Sequence, residues 1–342
     1  MKRLNTHTTG HLIRSASLNG FIELVQSLER NPHTFMRTVG LKADDLLDPE
    51  ALISRDAARE LLEITARATR TEDFALRLAA QRKLSALGPI SLVLREEPTL
   101  RHALNTLCKY LKLVNPSLML HVEDADDLVI IREELLPTPG LAMRQSVELA
   151  VSSMFKMLSE LAGPQWQAHG VYFTHRPPAE LAAHRKFFGQ AVKFNQAFNG
   201  LVCLASDLAK PRESSDKLAA GFARKYLETE LKKRAHSPQE SCYQMILALL
   251  PSGDCTATAV ARMMNRDRRT LHRQLSADGL GFAELLDKVR IDAVKRHLKE
   301  SDLSLQEISA LLGFAQPSSM NHWFQDKFGC SPSRWKLLKR NR

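Results

Sequence analysis

The chain has 342 residues, with 48 Lys and Arg against 38 Asp and Glu for a formal net charge of +10. That length allows two or three domains with separate cores, and the positive surplus points toward a polyanionic partner. Five scattered cysteines without a CxxC pair, and no run of eighteen apolar residues, argue against a disulfide scaffold, a paired-cysteine metal site and a helical membrane span.

MKRLNTHTTGHLIRSAS has basic residues but no apolar run behind them, so a soluble cytoplasmic protein is expected. Residues 15 to 112 are mostly helical by period: Leu61, Leu62, Ile64 and Thr65 recur at helical spacing, as do Leu100, Ala103, Leu104 and Leu107. Pro32, Pro49 and Gly88-Pro89 break the run. SLMLHVED (117 to 124) and DLVIIREE (127 to 134) then read as two strands of a hairpin around Ala125-Asp126. A helix follows at Ala142 to Leu161, then strand-like pieces at 169 to 175 and 200 to 206, so this half is α+β. PRESSD (211 to 216) is an expected boundary. Behind it Leu218, Phe222 and Tyr226, with Ala219, Ala223, Leu227 and Leu231, make a broad apolar stripe on one helix. The stripe either packs on its own domain or serves as a dimer arm or interdomain lever.

From Ser237 onward the chain reads as wholly helical. In TATAVARMMNRDRRTLHRQLSADGLGF (256 to 282), Val260, Met263 and Met264 give a short apolar helix, Asp267 is a good N-cap, and Leu271 and Leu275 face inward. Arg269, His272 and Arg273 share the outer face. FAELLDKVRIDAVKRHLKE (282 to 300) reads as one helix roughly 28 Å long at 1.5 Å per residue, close to one DNA turn of about 34 Å. Ser304 and Glu307 form a capping box for a helix through Ile308, Leu311 and Leu312, which Gly313 ends. Pro317 is tolerated at the start of the next helix, where its missing donor would be unpaired anyway. There Met320, Phe324 and Phe328 face inward and leave Ser318, Ser319, His322 and Gln325 outside. Two such layouts are helix-turn-helix units, whose outer helix fits a B-DNA major groove. From His236 on there are 16 Lys and Arg against 11 Asp and Glu, a surplus per residue about double that of the preceding part.

Residues 237 to 342 resemble the DNA-binding domain of the AraC/XylS family of bacterial transcription regulators. The match rests on RRTLHRQL (268 to 275), the G-x-x-F-x-x-L-L-x-x-x-R run from Gly279 to Arg290, LSLQEISALLGF (303 to 314), PSSMNHWF (317 to 324) and FGCSPSRWK (328 to 336). The resemblance implies that Arg269, His272 and Arg273 read bases in one groove and Ser318, Ser319 and His322 in the next. It further implies phosphate contacts from Arg268, Asn321, Gln325 and Lys327, and RNA polymerase and a homodimer partner as company. Ala315, His322, Trp323 and Asp326 depart from the family pattern, so a weaker or altered second reading site is expected.

The segment at 87 to 124, HGVYFTHRPPAE and the segment at 187 to 211 are similar to the arabinose-binding-like N-terminal domain of one AraC subgroup. That similarity implies a small-molecule effector of unknown identity. Tyr172, Phe173, Phe155 and Met157 are candidate pocket residues, although aromatics on such elements are more often core. The expected organisation is an α+β effector domain at 1–210, a linker and helix at 211–236 and an all-α DNA-binding domain at 237–342. No cofactor and no metal is expected: His169, His175 and His184 match no ligand spacing. An enzyme is not expected either, because an alkyl-transfer repair protein needs a clustered, zinc-held cysteine set that Cys108 and Cys203 cannot supply. The alternative is an architectural DNA binder whose first domain only mediates assembly.

Overall fold

The computed structural model describes residues 12–138, 140–213, 216–233, 238–264, 266–277 and 279–340. Ser214 and Ser215 of the expected boundary, and Ser237 at the expected start of the last domain, lie outside them. Seven strands are described, β1 (Leu12–Arg14), β2 (Leu52–Ser54), β3 (Leu118–Ala125), β4 (Leu128–Leu135), β5 (Gly170–Tyr172), β6 (Val192–Lys193) and β7 (Gly200–Leu204). The helices up to residue 209 are α1 (Phe21–Ser27), α2 (Pro32–Thr38), α3 (Arg55–Thr69), α4 (Phe74–Ala80), α5 (Pro89–Glu96), α6 (Leu100–Val114), α7 (Arg144–Ala162), α8 (Ala182–Phe188) and α9 (Ala205–Ala209). They continue with α10 (Lys217–Lys233), α11 (Pro238–Leu249), α12 (Ala257–Met263), α13 (Arg268–Ala277), α14 (Phe282–Glu300), α15 (Leu305–Leu311), α16 (Pro317–Phe328) and α17 (Pro332–Arg340).

Two compact units result. The first takes the chain up to Phe173, Pro178–Lys193 and Phe198–Arg234; the second takes Ala235–Arg342 with Thr174–Pro177 and Phe194–Ala197. The first unit is α+β. Its sheet has the order β3-β4-β7-β5-β6, antiparallel except for β5 with β6. The expected hairpin is present, with Asp126 at a positive φ of 53° in its turn. Gly200 is required where β7 passes β4: at φ +146°, a Cβ would come within 1.9 Å of the Ile131 carbonyl oxygen. On β4 the buried positions alternate through Val129, Ile131, Glu133 and Leu135, and this face packs toward α7. A second apolar cluster joins α1 to α4 with β2, around the edge-to-face pair of Phe21 and Phe74 at 5.8 Å between ring centroids. Strands β1, β2 and β6 were not expected. They have two or three residues each, too few for an alternating pattern to register.

Helix α10 belongs to the first unit. Ala220, Ala223 and Leu227 are buried toward α5 and α6, Arg224 pairs with Glu97 at 2.8 Å, and the Tyr110 hydroxyl donates to Glu228 at 2.8 Å. The expected stripe is thus split: Leu218, Phe222 and Tyr226 stay exposed. The second unit is helical, and its core includes Val260, Leu271, Leu275, Leu285, Val289, Ile308, Met320 and Phe324. Met263, expected inside, is 49% exposed, and Ala261 takes the inner position beside Val260.

Candidate nucleic-acid interface and a buried cavity

The first outer helix of the second unit is α13. Thr256 caps α12 by accepting the Ala259 N–H at 3.1 Å. Asp267 caps α13, accepting the Thr270 N–H at 2.8 Å and its hydroxyl at 2.7 Å; these bonds hold its carboxyl below the usual carboxylate range. With Leu271 and Leu275 each 1% exposed, the spacing turns Arg268, Arg269, His272 and Arg273 outward, and all four are exposed. Four adjacent donors on one exposed helical face, three of them permanently cationic, form a surface suited to phosphates and guanine edges.

The second outer helix, α16, is held differently. Ser304 and Glu307 form the expected capping box of α15: the Glu307 N–H donates to Ser304 Oγ at 3.2 Å, and the Ser304 N–H to Glu307 Oε2 at 2.8 Å. Gly313 sits at φ +68°, where a Cβ would come within 2.5 Å of the Leu250 carbonyl oxygen. Arg290 on α14 donates from Nε to the Leu312 carbonyl at 3.1 Å, and its guanidinium lies 4.2 Å above the Phe314 ring. From the same helix Asp287 accepts the Trp323 indole N–H at 2.9 Å and pairs with Lys327; burial, the largest single effect, raises its carboxyl pKa, but the bonds from Lys327 and Trp323 together bring it below the usual value. Met320 and Phe324 are fully buried, and Phe324 stacks on Phe328 at 4.1 Å. Ser318, Ser319, Asn321, His322 and Gln325 are exposed on the remaining face, and Lys327 is exposed although paired. The structure therefore brings Arg268, Arg269, His272 and Arg273 onto one outer face and Ser318, Ser319, Asn321, His322 and Gln325 onto another, whereas Lys327 lies toward α14, paired with Asp287. Trp323, a departure from the family pattern, is the pin to α14, a role for which periodicity gives no signal.

In the first unit a cavity of about 160 Å³ lies between α3, α6, α7 and β4, with Leu62, Leu107, Leu111, Leu135 and Met157 in its wall. Of the four expected pocket residues only Met157 lines it. Phe155 is on another side of α7, against Trp166, Phe187 and Phe188; Phe173 packs on Phe188 and Tyr172 on Phe198. Residues at three- and four-residue steps on α7, Ser146, Ala150, Ser153 and Met157, face the cavity instead. Arg59 is buried there and donates to the Leu136 carbonyl at 2.5 Å and to Thr138 Oγ1 at 2.8 Å; burial and the neighbouring Arg55 bring it down to about 9, against the opposing effect of Asp56. Arg82 donates to Ser153 Oγ at 2.9 Å and to the Ser17 carbonyl. Glu133, from the inner face of β4, is 3% exposed, neither carboxyl oxygen has a hydrogen-bond partner, and burial pushes its pKa up to about 8. His184, read as no metal ligand, lies 3.2 Å from the buried Glu148, which also accepts from Arg144 at 2.9 Å.

Paired short helices, each ending in an exposed polar face on a buried apolar one, define a helix-turn-helix DNA-binding regulator, here with a separate α+β unit before them. Residues 30–212 match the model of the arabinose-binding N-terminal domain of AraC transcription regulators, and residues 260–337 match a helix-turn-helix domain. The chain is 30% identical over 329 residues to the HTH-type transcriptional regulator VirS of Mycobacterium tuberculosis, covering 96% of this chain and 97% of that one. It is 25% identical to the ornithine utilization regulator of Pseudomonas aeruginosa over 76% of this chain and 77% of that one. The crystal structure of the transcriptional regulator CdpR of P. aeruginosa aligns with a TM-score of 0.44 at 18% identity, over 92% of this chain and 98% of that chain. The chain belongs to the AraC family of transcription regulators, in the group that carries the arabinose-binding N-terminal domain. Its named relatives are regulators rather than enzymes, and among the described residues no helix is long and apolar enough to cross a membrane.

Proposed function

We propose that this regulator is an activator that reads two successive major grooves of double-stranded DNA under the control of a small molecule held by its first unit. Arg269, His272 and Arg273 read bases in one groove and Ser318, Ser319 and His322 in the next, while Arg268, Asn321, Gln325 and Lys327 hold phosphates. The observation that carries this reading is the outer face of α13, with its exposed Arg268, Arg269, His272 and Arg273 over the buried Leu271 and Leu275. The cavity supports the sensor part: a ligand that favours one conformation of the first unit shifts the DNA-competent population. RNA polymerase and a second copy of the chain complete the reading, and the uncovered Leu218, Phe222 and Tyr226 of α10 are the apolar surface offered to that copy.

The test is to incubate the purified protein with sheared genomic DNA of its source at about 0.15 M salt and to sequence what is retained. Two boxes about ten base pairs apart, one per groove, are the expected outcome. Retention without a motif, lost steeply as salt rises, means phosphate-only binding and replaces the regulator reading with that of an architectural protein. A reporter driven by the recovered site, with and without metabolite extract, then tests effector control.

A further inference from the structure

The cavity in the first unit carries a chemical signature of its own. A glutamate on the inner face of β4 stands where Val129, Ile131 and Leu135 make the same face apolar, and its carboxyl meets no donor. Buried polar groups are hydrogen-bonded as a rule, so an unmet one at a cavity wall marks the place of a missing partner. A hydroxyl or amide partner could be held equally well by Ser, Asn or Gln. A carboxyl differs in that it can ionise and so match a cation. The other charged groups lining the cavity are Arg55 and Arg59 from α3, Arg82 and Lys83, and Lys156 and Glu160 from α7. Arg55 is paired with Asp56, Arg59 and Arg82 donate to carbonyl and hydroxyl oxygens, and Glu160 accepts the Leu84 N–H and pairs with Arg95. None of these forms a hydrogen bond or ion pair with Glu133.

We propose that the cavity takes a small apolar amine, with the apolar body among Leu62, Leu107, Leu111 and Met157 and the ammonium on the Glu133 carboxylate. The inference rests on the reading of the first unit as an effector domain. The space, about 160 Å³, is close to that of a cavity of about 150 Å³ known to admit benzene, which sets the ligand at about one ring plus a short aminoalkyl arm. At neutral pH the free amine carries its proton, and burial, which pushes Glu133 up to about 8, favours its protonated form. Forming the ammonium–carboxylate pair therefore releases up to one proton to the buffer for each amine bound.

The experiment compares benzylamine, benzyl alcohol and benzoate, which share a ring and differ in the head, by calorimetric titration and melting of the full chain in buffers of different ionisation enthalpy. Benzylamine alone is expected to bind saturably and to raise the melting temperature, with proton release of up to one. Glu133→Gln, which keeps shape and neutrality, should weaken benzylamine at least tenfold and abolish the proton release. Ala150→Phe, which places a ring in the cavity and leaves the carboxyl alone, should also block it. Binding of the alcohol or the acid in preference, or benzylamine binding that survives Glu133→Gln, overturns the amine class and leaves the effector reading in place. If none of the three binds, the amine class falls. If, in addition, Ala150→Phe leaves the reporter's response to metabolite extract unchanged, the cavity's effector role falls with it.

Discussion

The two helix-turn-helix units follow one plan and differ in how the outer helix is charged and held. Helix α13 carries three arginines and a histidine outward, and the Asp267 carboxylate beside them in the chain is spent on the N-cap. Helix α16 offers serine, asparagine, glutamine and histidine, and its lysine is engaged by Asp287. In exchange α16 is fastened to α14 by Trp323 and Lys327, and the turn before it by Arg290. On the proposed reading, affinity and salt dependence are concentrated in the first helix-turn-helix, and orientation in the second.

The sharpest way to break the second unit is at its turn. Gly313→Ala combines a left-handed backbone with a 2.5 Å approach to the Leu250 carbonyl oxygen, and should cost about 3 kcal/mol in a urea titration followed by Trp fluorescence. In the first helix-turn-helix, Arg269→Ala or Arg273→Ala should leave stability alone and cost about 1 to 3 kcal/mol of operator binding, with loss of base preference at one position of the first box only. An effect on both boxes would refute the division of labour.

Acid tests the helix common to both helix-turn-helix pairs. His297 on α14 is fully buried, and burial, then the Arg296 charge, push its pKa down to about 3. The folded pKa lies below the unfolded value near 6.5, so its contribution is present above about 6.5 and lost as pH falls toward 3. About 2 kcal/mol should be gone by pH 5, and His297→Gln should remove that slope in melting curves. Asp287→Ala frees Trp323 and Lys327 and should cost about 1 to 2 kcal/mol of stability, with a red shift of the Trp323 emission and weaker binding to the second box. Smallest is His322→Ala, expected at about 1 kcal/mol or less and confined to base preference in the second box. No change in affinity or preference would show that His322 does not read its groove.

What was legible in the sequence rested on local rules. The Ser304–Glu307 box, the Asp267 cap, the span of α14 and the outward faces of α13 and α16 all follow from spacings of three and four residues. Strands β1, β2 and β6 were not legible, because so few residues owe their pairing to partners far along the chain. Helix α10 defeated the pattern for another reason: its apolar stripe is wider than the surface that receives it, so period alone gave Phe222 and Ala223 equal standing. Glu133 was visible as an acid at an apolar beat of β4, but its meaning depends on what stands opposite it. Those facing positions come from α3, α6 and α7, up to about eighty residues away.

Helix α14 runs for 19 residues between the two helix-turn-helix pairs of the second unit. One residue inserted into it would turn everything downstream by about 100° and advance it by about 1.5 Å, rotating α16 away from the groove that α13 sets up. Its exposed side chains are open to exchange, but its length is a ruler. On the proposed two-groove reading, the spacing of the two boxes is copied from that ruler, so operators and α14 can drift in letters far more freely than in length.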